Sequence, residues 1–265
     1  MNALLERIIA DRRRRQPLSI DSYKMQRLHE DCMSLPSVRS LQRALEQRPA
    51  VIAEIKRCSP SRGELGGYRA PGLLATAYER SGAAAISVLT NEQFFGMHKN
   101  GLSEASASVG IPVLRKEFII SEFDILETRL LGADAVLLIV RLLDDDCLRR
   151  LYTLSREIGL EVLLEVHSEA ELERALALKP ELIGINARDL DSLELDLRAA
   201  LRLAGRVPQG IRIVAESGIR GIEDMRMFMN RGIHSFLIGS ELLEHDRPEK
   251  RLAEMLSREV THEAV

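Results

Sequence analysis

Three cysteines are all that this 265-residue sequence holds, and Cys32, Cys58 and Cys147 are far apart, odd in number and without a C-x-x-C spacing. A disulfide framework and a cysteine zinc site are thereby excluded, and a reducing cytoplasm fits best. Long hydrophobic runs are missing as well. No stretch approaches the roughly 20 apolar residues that a spanning helix needs. The N-terminus, MNALLERIIADRRRR, puts its positive charge after its apolar residues, which is the wrong order for a secretory signal. An excess of one charge is also absent. With 37 Lys and Arg against 40 Asp and Glu, the net charge of −3 creates no field that would recruit nucleic acid or an anionic membrane. The basic run Arg12 to Arg15 falls at the end of an expected helix, where cations complement the helix dipole, and reads as solvated. The six histidines show no metal spacing, so no metal is expected, and surface or supporting roles are assigned to them. Walker, nucleophile-elbow and cysteine-dyad patterns are lacking, which removes support for nucleotide use and covalent hydrolysis.

What is present is an ordinary globular composition, 45% hydrophobic and 29% charged. Length admits one core or two, because barrels run to about 250 residues as a single unit. From residue 50 onward, short runs of Val, Ile and Leu alternate with amphipathic segments at helical spacing, the pattern of repeated βα units. Strands are expected at Val51–Ile55, Ala85–Leu89, Pro112–Leu114, Ala135–Ile139, Glu161–Glu165, Leu182–Asn186, Arg212–Glu216 and Ser235–Ile238. Helices are expected at Leu73–Ser81, Gly101–Val109, Glu122–Leu131, Asp144–Ile158, Ser168–Leu176, Leu197–Ala204, Ile222–Asn230 and Glu249–Leu256. Ser168 with Glu171 suggests a capping box, and Gly132 and Gly159 suggest left-handed helix ends. A doubly wound sheet would also alternate, but it would usually carry G-x-G-x-x-G after its first strand, and none is present. The expected fold is therefore α/β, a single (β/α)8 TIM barrel over residues 50–265. Residues 1–49 form a helical extension, with helices at Leu4–Arg15 and Val38–Gln47, packed on the barrel.

In such a barrel the C-terminal strand ends and the loops after them form the active face. Glu54 and Lys56 end the first strand and, two apart, point the same way if Ile55 packs outward. Lys116 ends the third strand, Glu165 the fifth, Asn186 and Arg188 the sixth, and Glu216 and Ser217 the seventh. Lysine and carboxylate buried together must pair or shift their pKa values. Taken alone, Glu54 and Lys56 also read as a structural ion pair plugging the barrel, but charge recurs at strand end after strand end. The turns Ser217–Gly218–Ile219 and Gly239–Ser240 follow the last two strands, where barrels commonly bind phosphate. Ser59 and Ser61 can add hydroxyl donors from the first loop.

Seven segments then combine in order: AEIKRCSPSRG (53–63), ISVLTNEQFF (86–95), PVLRKEFI (112–119), LLEVHSEAEL (163–172), GINARDL (184–190), VAESGI (214–219) and FLIGSELL (236–243). Together they resemble the indole-3-glycerol-phosphate synthase family, from the N-terminal helices almost to the C-terminus. The resemblance implies a lyase of tryptophan biosynthesis that takes a small phosphorylated anthranilate substrate and needs no cofactor or metal. It implies Lys116 as general acid for ring closure, and Lys56 as holder of the substrate carboxylate and acid in dehydration. Glu54 and Glu165 match the two family glutamates, one stabilising the ring cation and one acting as base. Asn186, Arg188, Glu216 and Ser217 match positions that orient the substrate and the lysines. Ser59, Gly218, Gly239 and Ser240 match the phosphate cradle, and Phe95 and Phe118 match apolar positions beside the aromatic ring. The chain departs from the family pattern at Gly96–Asn100, at Glu117 and at Ala187.

Two other functions compete. A catalytically silent barrel that binds a phosphorylated ligand is suggested by the loop at Met97–Asn100. A phosphoribosylanthranilate isomerase would carry a cysteine and aspartate pair, against which Glu54 and Lys56 speak. A monomer or weak homo-oligomer is expected, with association with other tryptophan-pathway enzymes left open.

Overall fold

Eight parallel strands close on themselves in the computed structural model, which describes residues 3–15, 21–59, 63–65, 69–98 and 100–257. They are β1 (Ala50–Ile55), β2 (Ala85–Leu89), β3 (Val113–Lys116), β4 (Ala135–Ile139), β5 (Glu161–Val166), β6 (Leu182–Asn186), β7 (Arg212–Glu216) and β8 (Ser235–Ile238). Each pairs with the next in sequence, and β8 pairs back onto β1 with Ala50 opposite Ser235. That closure rules out the open doubly wound sheet.

Alternation along the strands separates two cores. Ile52, Leu114, Leu137, Leu163, Leu182, Val214 and Leu237 fill the barrel interior. Their neighbours Val51, Ala53, Ile55, Leu164, Ile183, Ala215 and Phe236 point outward against the helices. The outward packing of Ile55 turns Glu54 and Lys56 into the barrel mouth, and the same parity carries Lys116, Glu165, Asn186 and Glu216 there. The expected strands match closely except the third, which starts at Val113 and runs to Lys116. Arg115 is an outward residue of that extended strand, and its guanidinium reaches Glu127 and Thr128 on the next helix.

The barrel helices agree with the sequence pattern to within two residues at each end. Gly132 and Gly159 adopt the left-handed backbone at helix ends. The capping box expected at Ser168 is only half formed. Ser168 Oγ accepts from Glu171 N, but Glu171 turns its carboxylate to the His167 amide and to Arg141. The reciprocal box occurs at Ser121 and Asp124.

The N-terminal region departs most from expectation. It holds α1 (Ala3–Arg15), α2 (Ser22–Ser34) and α3 (Leu41–Ala44). The helix expected over Val38–Gln47 shrinks to one turn, capped by Ser40, whose neighbours Leu41 and Leu45 are fully buried with the residues of the barrel interior. The helix α2 was not expected. Its sequence buries only Cys32 completely, so it lacks a broad apolar stripe, and the Asp21 cap is its clearest local signal.

Polar contacts bind these helices to the barrel. Arg39 pairs with Asp134 at 2.7 Å, while Ser40 Oγ and the Gln42 amide donate to Glu161. Arg12 corrects the solvated reading of its cluster, since it is buried and paired with Asp124 and Glu127. Arg13 to Arg15 are exposed as expected. No helix among the described residues is long and apolar enough to cross a membrane.

Candidate active site

Strand parity delivers the charged residues to one place, a cavity of about 480 Å³ at the C-terminal mouth of the barrel. Glu54, Lys56, Lys116, Glu165, Asn186 and Arg188 line it, together with Phe95, Phe118, Ser217, Gly218, Gly239 and Ser240. Glu216 stands behind this wall, 1% exposed. Ser59 lies on a two-stranded ribbon, Cys58–Ser59 with Gly63–Glu64, and its side chain falls outside the described residues, as does all of Ser61.

Two lysines share one carboxylate. Lys56 Nζ is 2.6 Å from Glu54 Oε1, and Lys116 Nζ is 3.2 Å from Glu54 Oε2 and 3.2 Å from Glu216 Oε2. Burial would raise the Glu54 pKa, but the two ammonium groups overcome it and hold the carboxyl down at about 2. Lys116 moves the other way. Burial favours its neutral form, yet Glu54, Glu216 and Glu165 outweigh that and push it well above the ordinary lysine range. Glu216 is pushed up to about 8 by burial and by the neighbouring Glu165 and Glu54, against the pull of Lys116. Its oxygens make no well-aligned hydrogen bond, although Lys116 Nζ stands 3.2 Å from Oε2.

Glu165 has other partners. Asn186 Nδ2 donates to its Oε1 at 3.2 Å, and His167 Nε2 lies 3.2 Å from the same oxygen. Burial would raise Glu165, but His167, Lys116 and Asn186 keep it below the usual carboxylate range. The mouth thus combines two lysines with three buried carboxyl groups whose pKa values are pushed apart, Glu54 and Glu165 down and Glu216 up.

The remaining wall is apolar or glycine-bearing. Phe95 and Phe118 stack at 6.4 Å with 17° between their planes, while Leu5 and Ile8 of α1 cover the opening. Gly218 has a φ of +77°, and a Cβ there would lie 2.8 Å from Leu197 Cδ2. Ser217 before it is also left-handed, at φ 63°, a strained state for serine of the kind held at ligand sites. Gly239 does more than open a loop, because a Cβ on it would stand 2.2 Å from Glu54 Oε1. It makes room for the carboxylate that both lysines share.

The three departures are accommodated without loss of a charged group. Met97 is fully buried and packs on Gly101, anchoring the altered loop, of which Lys99 lies outside the described residues. Glu117 accepts from Thr90 Oγ1 at 2.9 Å and from the Phe118 amide at 2.9 Å. Ala187 is buried and its amide donates to the Glu216 carbonyl. Sequence reasoning missed His167 as an individual and gave no role to Leu5 and Ile8. The E-V-H spacing after Glu165, the same as E-I-K after Glu54, was the available signal for His167.

Fold and site define a TIM-barrel enzyme whose charged, partly apolar mouth is equipped for acid–base chemistry. The model of the family described as indole-3-glycerol phosphate synthase matches residues 5–255. An indole-3-glycerol phosphate synthase of Polaromonas naphthalenivorans is 41% identical over 260 residues, covering 96% of this chain and 99% of the relative. One of Nocardioides sp. is 48% identical over 206 residues, covering 78% and 79%. This chain belongs to the indole-3-glycerol phosphate synthase family. A crystal structure of KGPDC from Streptococcus mutans superposes with a TM-score of 0.60 at 10% identity, covering 83% of this chain and 100% of that one, and shares its fold.

Proposed function

We propose that this chain closes the indole ring, converting 1-(2-carboxyphenylamino)-1-deoxyribulose 5-phosphate into indole-3-glycerol phosphate with loss of carbon dioxide and water. The observation that carries it is Lys116, held as an ammonium by Glu54 and standing beside Glu216 inside a cavity that also offers an apolar wall. Attack of the anthranilate ring carbon on the ribulose carbonyl puts negative charge on that oxygen, and Lys116 supplies the proton. The ring becomes cationic. Glu165, which touches His167 and Asn186 rather than a lysine, faces that charge as a carboxylate.

Loss of the ring carboxyl as carbon dioxide restores the electrons to the ring carbon. Dehydration then removes the new hydroxyl as water, with Lys56 giving a proton to the leaving oxygen and Glu54, bonded to both lysines, taking the proton from the adjacent carbon beside the ring nitrogen as the double bond forms. Asn186 and Arg188 orient the substrate, Phe95 and Phe118 provide the wall for its ring, and Ser217, Gly218, Gly239, Ser240 and Ser59 hold its phosphate. The enzyme acts in the cytoplasm on this small substrate, as a monomer or weak homo-oligomer.

Mixing the protein with the substrate and following indole fluorescence tests the assignment. Turnover is expected, and binding without product would favour the silent barrel instead. Lys116→Ala should lose about 10²- to 10⁴-fold in kcat while still binding substrate. Near-normal turnover of that variant refutes the role of Lys116.

A further inference from the structure

His167 occupies a position that the proposed chemistry does not use. It follows Glu165 by two residues, one past the end of β5, and its ring lies against Glu165 behind the cavity wall. Its ring is 2% exposed and lies between two carboxylates, with Nε2 3.2 Å from Glu165 Oε1 and Nδ1 3.2 Å from Glu171 Oε2. Glu171 is fixed in turn. It accepts from the His167 backbone amide at 2.8 Å and from Arg141 Nε at 2.8 Å, and Arg141 also approaches Asp189 and Asp191 in the loop after β6.

A chain of alternating charge thus runs from the loop after β6 to the cavity, through Arg141, Glu171, His167 and Glu165. Lys116, Asn186 and Glu216 complete the surroundings of Glu165 from β3, β6 and β7. A neutral imidazole offers one N–H for two carboxylates, whereas an imidazolium offers two. The two anions favour the doubly protonated ring and push its pKa up to about 9 despite burial, with Nε2 paired to Glu165 by charge rather than by a well-aligned hydrogen bond.

We propose that His167 is a positioning residue for the reaction, an imidazolium that holds the Glu165 carboxylate ionised and aimed at the substrate ring, braced by Glu171 and Arg141. Glu54 and Lys56 on β1 form the same arrangement two residues apart, so two strand ends of this barrel each pair a carboxylate with its own cation. The inference rests on the proposed role of Glu165.

Its test is a comparison of His167→Gln, His167→Leu and Glu165→Gln by steady-state kinetics across pH. Leucine should lower kcat by about ten- to hundredfold with KM within about threefold, and glutamine, which keeps one donor, should restore part of that loss. In both variants the acid limb of kcat should move to higher pH, because Glu165 loses the cation that lowers its pKa. A merely structural histidine would lower the melting temperature and leave kcat and the pH profile of the folded protein unchanged, which overturns the proposal. Should the leucine variant fail to fold, the glutamine variant decides by the same limb. If Glu165→Gln turns over normally, the role of Glu165 itself is wrong. If it loses turnover while the His167 variants do not, only the inference about His167 falls.

Discussion

Replacing Arg12 by methionine separates α1 from the barrel without touching the charged mouth. Arg12 is 9% exposed at its side chain and pairs with Asp124, which is fully buried, and with Glu127 at 3.2 Å. Removing one partner of a buried pair costs about 3–5 kcal/mol. Compensation trims that figure, since Asp124 Oδ2 keeps the amides of Ile120 and Ser121, and Glu127 keeps Arg115 at 2.7 Å. A loss of about 2–4 kcal/mol follows, because methionine retains much of the buried hydrocarbon. Most of it falls on the docking of α1, whose other anchors are Leu5, Ile8 and Ile9. The undocked fraction should rise roughly thirty- to several-hundred-fold. Limited trypsin digestion reads this directly through cleavage after the exposed Arg13 to Arg15. KM should rise as well, since Leu5 and Ile8 cover the cavity. Unchanged cleavage and unchanged KM would refute the latch.

Gly239→Ala should lower kcat at least about tenfold by displacing Glu54, whose Oε1 would lie 2.2 Å from the new Cβ. Activity within a factor of two of the parent would show that Glu54 relaxes freely. Stability should peak near pH 4.5. Below it, Glu54 and Glu171, held at about 2 in the fold against 4.5 unfolded, lose their contribution as they gain protons. Above it, His167 loses its contribution as pH rises from 6.5 through about 9, a term on the order of 3 kcal/mol, while ionisation of Glu216 becomes costly between 4.5 and about 8. Urea midpoints across this range check the shape. His167→Gln should flatten the alkaline decline, and an alkaline slope equal to the parent's would contradict the linkage.

Period-two apolar runs broken by amphipathic helices determined the βα repeat, because each strand of a barrel must bury its outward side chains under a helix. The same parity made most of the site legible. Glu54 with Lys56, Lys116, Glu165, Asn186 and Glu216 are the inward residues that follow the last interior hydrophobe of β1, β3, β5, β6 and β7. The N-terminal region was less readable. The helix α2 has too narrow an apolar face to announce itself, and α3 is one turn whose Leu41 and Leu45 matter through a barrel interior that they do not adjoin in sequence. Arg12 looked solvated among four arginines because its partners, Asp124 and Glu127, lie more than a hundred residues away.

What the sequence determined alone was the order of strands and helices and the direction in which each strand-end side chain points, both of which follow from local backbone geometry. Closure, by contrast, depends on β8 pairing with β1. Only the tertiary structure could decide that Lys116 stands between Glu54 and Glu216, that the pKa of Glu216 is pushed up while that of Glu165 is held down, and that Gly239 leaves space for Glu54. Those are properties of distance and burial between residues remote in the chain, and no local pattern encodes them.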